Sequence, residues 1–441
     1  MSETVRTLAI ISTGDEVAEG RTLDTNSSYI ADRLSALGFD VVSVVAVGDY
    51  PERIEWAWRR SLEQADVVIS TGGLGPTADD LTNECLARVA GVDLVLEEEQ
   101  AERIREIFRT FGRPMPENNL KQAMLPAGAE VIPNDLGTAP GYRLVVPTDG
   151  RTPVAMVLPG VPREMQSMID DRVVPWLAER LAPGRCVLSR TFQTFGMSES
   201  AIDEALDGLI DPEEGRLAFK ASFPQISVRV TVVDEEDAAR ERVKELGDRI
   251  AERLAAAVYA EGADATMEAT VGELLRARSL RLATAESCTG GLIGSRITNV
   301  PGSSDYYAGG VVAYSNHLKQ ELLGVSRTTL KMFGAVSEET ACEMATGART
   351  RTGTDIAVAT TGIAGPTGGT EDKPVGTVCI ALAAAVGGSE EEVRSQTYRL
   401  WGNREWVKVL TSQVALDWVR RYLLGLDPLE SNFNRRVPRR A

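Results

Sequence analysis

The chain has 441 residues, and its 47 Lys and Arg residues stand against 64 Asp and Glu residues, which gives a formal net charge of −17. This charge argues against a nucleic-acid-binding protein, because each neutralised phosphate needs a lysine or arginine beside it. The single histidine, His317, excludes a zinc site built from several histidines, and a Ser-His-Asp triad would have to use that one residue.

Length and cysteine usage predict a cytoplasmic protein of about two to four domains. The longest uninterrupted apolar run, Val378–Val386, has nine residues, whereas a membrane span needs about 18. The five cysteines are scattered and never form a C-x-x-C pair. The first residues lack the basic and apolar regions of a signal peptide. We therefore expect reduced thiols and no membrane partner.

Residues 1–170 alternate short apolar strands with amphipathic helices. Such alternation predicts an α/β domain with a mainly parallel sheet that is covered on both faces. Ligands of these sheets bind at the carboxyl ends of the strands. The predicted strands are 5–12, 41–47, 67–70 and 154–158, and the predicted helices are 25–37, one from Pro51 and one after residue 162.

A glycine-rich loop at this sheet edge is a candidate phosphate site. Its sequence, S-T-G-G-L-G-P-T-A-D-D at 70–80, places backbone amides beside two carboxylates that suit a divalent cation. The predicted ligand contacts are Gly72, Gly73, Gly75 and Thr77, and the predicted metal ligands are Asp79, Asp80, Asp15 and Glu16. Alternatively, Asp79 and Asp80 only complement the dipole of the following helix.

Four segments of this region resemble the molybdopterin-binding-like domain that begins proteins of the CinA family. They are G-D-E (14–16), T-G-G-L-G-P-T-A-D-D (71–80), L-G-T-A-P-G (136–141) and L-P-G-V-P-R-E-M (158–165). The resemblance implies hydrolysis of ADP-ribose to AMP and ribose 5-phosphate with a divalent metal ion, although structural relatives of the domain bind molybdopterin. No Nudix-type helix of spaced glutamates is present, so the residues alone do not indicate this activity.

Residues 171–262 have the pattern of a small α+β domain with an ensuing linker at 261–265. The pattern predicts a strand at 187–195, a helix at 198–209, alternating apolar residues at 226–232 and a charged helix at 235–257. The position corresponds to the KH-like middle domain of the CinA family. A G-x-x-G clamp with basic flanks is missing, so we expect no nucleic-acid partner.

A strand-to-helix turn opens the third region, 266–424. The predicted strand Leu280–Ala285 leads into E-S-C-T-G-G, which places Ser287 at the start of a helix. Amides there, including those of Thr289, Gly290 and Gly291, are candidates for holding substrate or a developing oxyanion. The alternative is that Ser287 or Thr289 only caps the helix.

A second group of reactive side chains follows the predicted strand 311–314. Tyr314 and Lys319 are candidates for moving protons at Ser287, because burial lowers the pKa of lysine toward neutrality. Taken alone, Tyr314 fits a half-buried strand aromatic and Lys319 a surface charge. His317 is an alternative base, but its position also fits a solvated residue at a helix start.

A second glycine-rich loop follows the apolar strand Ile356–Ala359. Closely spaced glycines let backbone amides approach an anion, so the loop is a candidate site for a nucleotide phosphate and ribose. The residues predicted to contact substrate are Thr361, Gly362, Gly365, Gly368 and Gly369.

Ordered motifs across this region resemble the nicotinamide-nucleotide amidohydrolase domain of the CinA family. They are A-E-S-C-T-G-G (285–291), A-Y-S-N-H-L-K-Q-E-L-L-G-V (313–325), G-A-V-S-E-E-T-A (334–341) and T-G-I-A-G-P-T-G-G (361–369). The resemblance implies a homodimer that deamidates nicotinamide mononucleotide (NMN) without a cofactor, giving nicotinic acid mononucleotide and ammonia. The family's Ser-Tyr-Lys set falls on Ser287, Tyr314 and Lys319.

Two questions stay open at this level. Cys288 is intrinsically a better nucleophile than the neighbouring serine, although a small buried cysteine at a helix start is commoner. The whole chain reads as a bifunctional enzyme of pyridine-nucleotide salvage, or else as a scaffold for competence or DNA damage with a pterin- or nucleotide-sensing first domain. The tail at 427–441, with Arg435, Arg436, Arg439 and Arg440, is predicted to be disordered.

Overall fold

The computed structural model describes residues 6–110, 112, 114–148, 150–181, 185–387 and 389–430. The chain divides into two compact units, one containing residues up to Leu188 and Thr231–Glu241, the other containing Ser189–Val230 and the residues from Arg242. Most of the predicted tail, from residue 431 on, lies outside the described residues. Within the described part, no helix has the length and apolarity needed to cross a membrane.

The first unit is built on a six-stranded sheet of order β2-β1-β3-β8-β7-β6. Strands β2, β1, β3 and β8 are parallel, and β7 and β6 extend the sheet in the antiparallel direction. A separate antiparallel pair joins β4 and β5. The strands are β1 (Thr7–Thr13), β2 (Asp40–Val47), β3 (Val67–Thr71), β4 (Leu94–Leu96), β5 (Met124–Pro126), β6 (Glu130–Ile132), β7 (Gly141–Val145) and β8 (Val154–Leu158).

Helices cover both faces of this sheet, and each face has its own apolar core. Asp24 accepts a hydrogen bond from the Ser27 amide and so begins α2, and Gly38 ends the helix with φ +86°. The helices are α1 (Asp15–Ala18), α2 (Thr25–Ala36), α3 (Pro51–Gln64), α4 (Thr82–Ala90), α5 (Glu98–Thr110), α6 (Pro162–Met168) and α7 (Val174–Leu181). A π-helical turn, Ile169–Val173, joins the last two. Residue 170, the predicted end of the first domain, lies inside that turn.

The middle region forms a four-stranded sheet of order β10-β11-β9-β12 with two helices. Its elements are β9 (Arg185–Thr194), α8 (Glu199–Leu206), β10 (Arg216–Ser222), β11 (Gln225–Glu235), α9 (Glu236–Leu254) and β12 (Val258–Glu261). The sequence analysis missed β12, which pairs antiparallel with β9, because its four residues are too short to show alternation.

The C-terminal region is a five-stranded sheet of order β14-β13-β15-β16-β17 between two helical layers. The first three strands are parallel, and the apolar run noted above forms β16, which is antiparallel to both of its neighbours. The strands are β13 (Leu282–Glu286), β14 (Tyr307–Val312), β15 (Ile356–Gly362), β16 (Thr377–Ala384) and β17 (Glu392–Arg399). The helices are α10 (Met267–Arg278), α11 (Leu292–Thr298), α12 (Asn316–Leu323), α13 (Arg327–Met332), α14 (Glu338–Thr352) and α15 (Arg404–Leu423). The α/β class predicted from the sequence is confirmed.

Helix α15 contacts the middle sheet at two places. Near its start, the Trp406 ring stacks on Phe223 in the turn between β10 and β11, with 4.3 Å between ring centroids. Near its end, the buried Arg420 guanidinium pairs with Asp417 and donates hydrogen bonds to the carbonyls of Ala256 and Val258. Contacts near both of its ends therefore fix α15 against the middle sheet.

Candidate functional site

Ser287 and Lys319 form a buried hydroxyl–amine pair. Ser287 follows β13 directly, and Lys319 lies in the first turn of α12, which follows the neighbouring strand β14. The Lys319 Nζ donates a hydrogen bond of 2.9 Å to the Ser287 Oγ and one of 2.8 Å to the Ala313 carbonyl. Ser287 is 7% exposed and Lys319 is 1% exposed. The two side chains have the geometry of a nucleophile beside its base.

The environment of Lys319 favours its neutral form. Ser315 caps α12 by accepting a hydrogen bond from the Leu318 amide, and this local fold turns Lys319 inward. Burial lowers the pKa of the Lys319 amine, and among the described residues no carboxylate forms an ion pair with it. A neutral amine accepts a proton, so Lys319 has the chemistry of a general base.

Cys288 lines the same cavity but is poorly suited to attack. The thiol is 5% exposed, and burial raises its pKa to about 12. A thiol attacks as its thiolate, which is scarce far below that pKa. The geometry therefore favours Ser287 over its neighbour as the nucleophile.

Tyr314 lies just beyond the strand that was predicted to contain it, because β14 ends at Val312 and Ser315 already caps the next helix. Its side chain is exposed, and its hydroxyl accepts a hydrogen bond of 2.9 Å from Arg404 Nη2. Arg404, the first residue of α15, also donates to the Gly365 carbonyl at 2.8 Å. The sequence analysis missed Arg404, because it lies about 40 residues beyond the nearest motif.

For the deamidation of NMN that the family resemblance implies, we expect Tyr314→Phe to lower kcat/KM about tenfold, the lower end for a charge-assisted hydrogen bond, because Tyr314 is exposed and the serine–lysine pair stays intact. Steady-state ammonia release measures this effect. A loss as large as that of a Lys319 variant would contradict this view of Tyr314 and place its hydroxyl in the proton transfer itself.

Glu286 takes one of the three helix-start amides that the sequence analysis offered to an oxyanion, that of Gly291. Its buried carboxylate accepts hydrogen bonds from the amides of Gly291, Ile293 and Gly294 at 2.8–3.1 Å. The Gly290 amide donates to the Ser287 carbonyl. The Thr289 hydroxyl is buried against that of Thr360, at 2.9 Å. These groups shape the turn that carries Ser287.

The second glycine-rich loop contributes only its beginning to the cavity. Thr361 and Gly362, at the end of β15, line it, and the Thr361 hydroxyl donates to the Ala335 carbonyl at 2.7 Å. Gly365, Gly368 and Gly369 do not line it. The cavity measures about 170 Å³, and its charged side chains are Lys319 and Arg404. His317 lies outside, with its ring nitrogen 2.9 Å from the Glu321 carboxylate.

The first unit has a larger cavity, of about 490 Å³, at the carboxyl ends of β1, β3 and β8. The predicted residues Gly72, Gly73, Gly75, Glu16, Asp79 and Asp80 line it, together with Asp49 and Glu164, which the sequence analysis missed. Among the residues that the structure describes in this unit, no lysine or arginine lines it. The cavity therefore presents carboxylates and loop backbone to a ligand without a protein cation.

Three of the residues predicted to form this site, Asp15, Thr77 and Asp80, make hydrogen bonds that shape its loops. The Asp15 carboxylate accepts from the Asp49 amide at 3.2 Å, and the Asp49 carboxylate accepts from the Asp15 amide at 3.0 Å. The Asp80 carboxylate accepts from both the amide and the hydroxyl of Thr77. Burial raises the pKa of the Asp49 carboxyl, and the charges of Asp15, Glu16 and Asp79 raise it further.

Among the described residues, no group of three or more His, Cys, Asp or Glu side chains is close enough to hold a metal ion alone. The four carboxylates of Glu16, Asp49, Asp79 and Asp80 fit a site in which the protein supplies only part of the coordination shell of the metal. Mg²⁺ usually takes one or two protein carboxylates and completes its shell with substrate phosphates and water. Burial is the main cause of the raised pKa of Asp49, and the neighbouring charges of Asp15, Glu16 and Asp79 raise it further.

Comparisons with known proteins cover nearly the whole chain. Three family models match: "Probable molybdopterin binding domain" at 9–179, "Damage-inducible protein CinA KH domain" at 189–260 and "CinA C-terminal domain" at 264–423. A CinA-like protein of Geotalea uraniireducens is 42% identical over 96% of this chain and 99% of its own length. A putative competence-damage inducible protein of Acetivibrio thermocellus is 44% identical over 95% and 98%. A crystal structure of CinA from Thermoplasma acidophilum, described as of unknown function, matches 38% of this chain and 98% of its own with 34% identity and a TM-score of 0.35.

Proposed function

The chain belongs to the CinA family, and on that premise we propose that its C-terminal domain is a nicotinamide-nucleotide amidohydrolase. The reaction converts NMN and water into nicotinic acid mononucleotide and ammonia. The observation that carries this proposal is the 2.9 Å contact between the Lys319 amine and the Ser287 hydroxyl, both of which are buried. Amide hydrolysis needs an activated nucleophile and a proton for the departing nitrogen, and this pair supplies both.

The proposed reaction has two steps. The neutral Lys319 amine takes the Ser287 proton while Oγ attacks the carboxamide carbon, and the resulting ammonium then protonates the nitrogen that leaves as ammonia. Water then attacks the acyl ester, with Lys319 taking its proton and returning it to the Ser287 oxygen. Arg404 is the cavity's second cation, and its guanidinium stabilises negative charge there.

The test is to incubate the purified protein with NMN and measure ammonia and nicotinic acid mononucleotide together. Equal amounts of the two products support the proposal. Turnover of neither, with the protein folded, would contradict it, and saturable binding of a pterin or nucleotide without turnover would favour the alternative of a sensing scaffold.

We propose a second activity for the first unit, hydrolysis of ADP-ribose to AMP and ribose 5-phosphate. The supporting observation is that the described residues lining its cavity include loop glycines and carboxylates but no lysine or arginine. An anionic pyrophosphate would be repelled there unless a cation accompanied it. One or two of the carboxylates of Glu16, Asp49, Asp79 and Asp80 would hold a divalent ion, which would supply charge neutralisation and an activated water.

Asp80→Asn is expected to lower AMP release from ADP-ribose about a hundredfold, since Asp80 lines the cavity and also fixes Thr77 of the glycine-rich loop. AMP is measured by chromatography with and without added Mg²⁺ or Mn²⁺, and ammonia release from NMN should stay unchanged. Asp40→Asn, an exposed aspartate at the opposite end of β2, is the matched control. Full activity of Asp80→Asn, or activity that survives a chelator, would contradict the metal-dependent assignment.

A further inference from the structure

The cavity at Ser287 is too small for a whole mononucleotide. It measures about 170 Å³, whereas pockets for small ligands usually measure about 300–1,000 Å³. If the C-terminal domain acts on NMN, as proposed above, the ring that carries the carboxamide fits the cavity, and the ribose phosphate must extend beyond its mouth. A dianionic phosphate outside the cavity needs a partner of its own.

Lys408 lies beside the turn that follows Ser287. It is four residues after Arg404 on α15, so the two side chains leave the helix on the same face, one turn apart. The Lys408 Nζ lies 3.9 Å from the position that a Cβ atom would occupy on Gly290. Gly290 belongs to the turn that follows Ser287, and its φ of +64° keeps a side chain out of this space.

The Lys408 ammonium is also available to bind a ligand. It is partly exposed, and it forms no ion pair or side-chain hydrogen bond with any residue that the structure describes. Lys408 and Arg404 together place two positive charges between the start of α15 and the Ser287 turn.

We infer that Lys408 binds the phosphate of the substrate and makes the amidohydrolase selective for the nucleotide over the nucleoside. Lys408 does not line the cavity, which agrees with a contact to the part of the substrate outside it. Its contribution should depend entirely on the phosphate charge.

The experiment compares Lys408→Met with the wild type on NMN and on nicotinamide riboside, which lacks the phosphate. We expect kcat/KM for NMN to fall about tenfold to a hundredfold, the range for a charge-assisted contact, and kcat/KM for the riboside to stay within about twofold. Lys408→Arg should keep most of the preference. Lys331→Met, an exposed lysine of α13, controls for the loss of one positive charge.

A second readout separates this inference from the proposed activity. NMN and the riboside are titrated calorimetrically into Ser287→Ala, with and without Lys408→Met, so that binding is measured without turnover. Weaker binding of NMN alone supports the inference even if the wild type releases no ammonia, an outcome that would defeat only the proposed activity. Equal losses for both ligands, an unchanged preference for NMN, or no binding of NMN to Ser287→Ala would overturn it.

Discussion

Ser287→Ala is expected to abolish ammonia release from NMN, lowering kcat by roughly three orders of magnitude or more, as removal of a catalytic nucleophile does in other hydrolases. The variant deletes only Oγ, the atom that accepts the 2.9 Å hydrogen bond from Lys319. The fold should survive, because the turn is held by the Glu286 carboxylate and by backbone hydrogen bonds. Ammonia release and a thermal melt of the same sample measure the two effects.

Cys288→Ala is the matched control for this variant. The thiol adjoins the nucleophile in sequence, lines the same cavity and has a pKa raised by burial to about 12. We therefore expect Cys288→Ala to keep activity within a few-fold. An inactive Cys288→Ala beside an active Ser287→Ala would reverse the assignment of the nucleophile.

Lys319→Met is expected to cost about as much activity as Ser287→Ala, because catalytic residues that act as a unit are not additive. The double variant should then be no slower than either single one. Lys319→Arg is the sharper control, since its guanidinium keeps the positive charge but cannot act as a base near neutral pH. Substantial activity in Lys319→Arg would contradict the base role and leave Lys319 as an electrostatic group.

The buried amine also predicts two pH dependences. Burial lowers the pKa of Lys319 below its ordinary 10.5, so kcat should rise with pH as the amine loses its proton. Between the lowered pKa and 10.5, the unfolded chain binds a proton that the folded chain does not. The free energy of unfolding should therefore increase with pH in this window. Denaturant melts at several pH values measure this dependence. In Lys319→Met, the free energy of unfolding should rise less steeply with pH in this window, and an equally steep rise would contradict the shifted pKa.

The sequence could predict the α/β class and the carboxyl ends of the strands as the place of both sites, because apolar strands and glycine stops are local signals. It could also nominate Ser287 and Lys319, which follow adjacent strands. It could not show that Glu286 takes the helix-start amides, since a buried carboxylate and a surface one look alike in sequence. The tertiary structure decides which donors and acceptors form hydrogen bonds with one another.

Arg404 and Lys408 illustrate the same limit. Both lie in a long helix whose sequence carries no motif, and only the folding of α15 beside the Ser287 turn brings them to the site. The glycine-rich loop at 361–370 shows the converse, because despite its strong local pattern only Thr361, Gly362 and Ala364 of it line the cavity. The spacing of residues along the chain indicates which chemistry is available, whereas their distances in the folded protein decide which of them take part.

The two contacts of α15 with the middle sheet bear on whether the C-terminal domain can exist without the middle domain. An independent copy of the C-terminal domain would expose the Trp406 face that stacks on Phe223, and it would leave the buried Arg420 guanidinium without the carbonyls of Ala256 and Val258. We therefore expect C-terminal domains that occur without the middle domain to carry other residue types at positions 406 and 420. The residue types at these two positions in homologues should reveal which lineages lost or gained the middle domain.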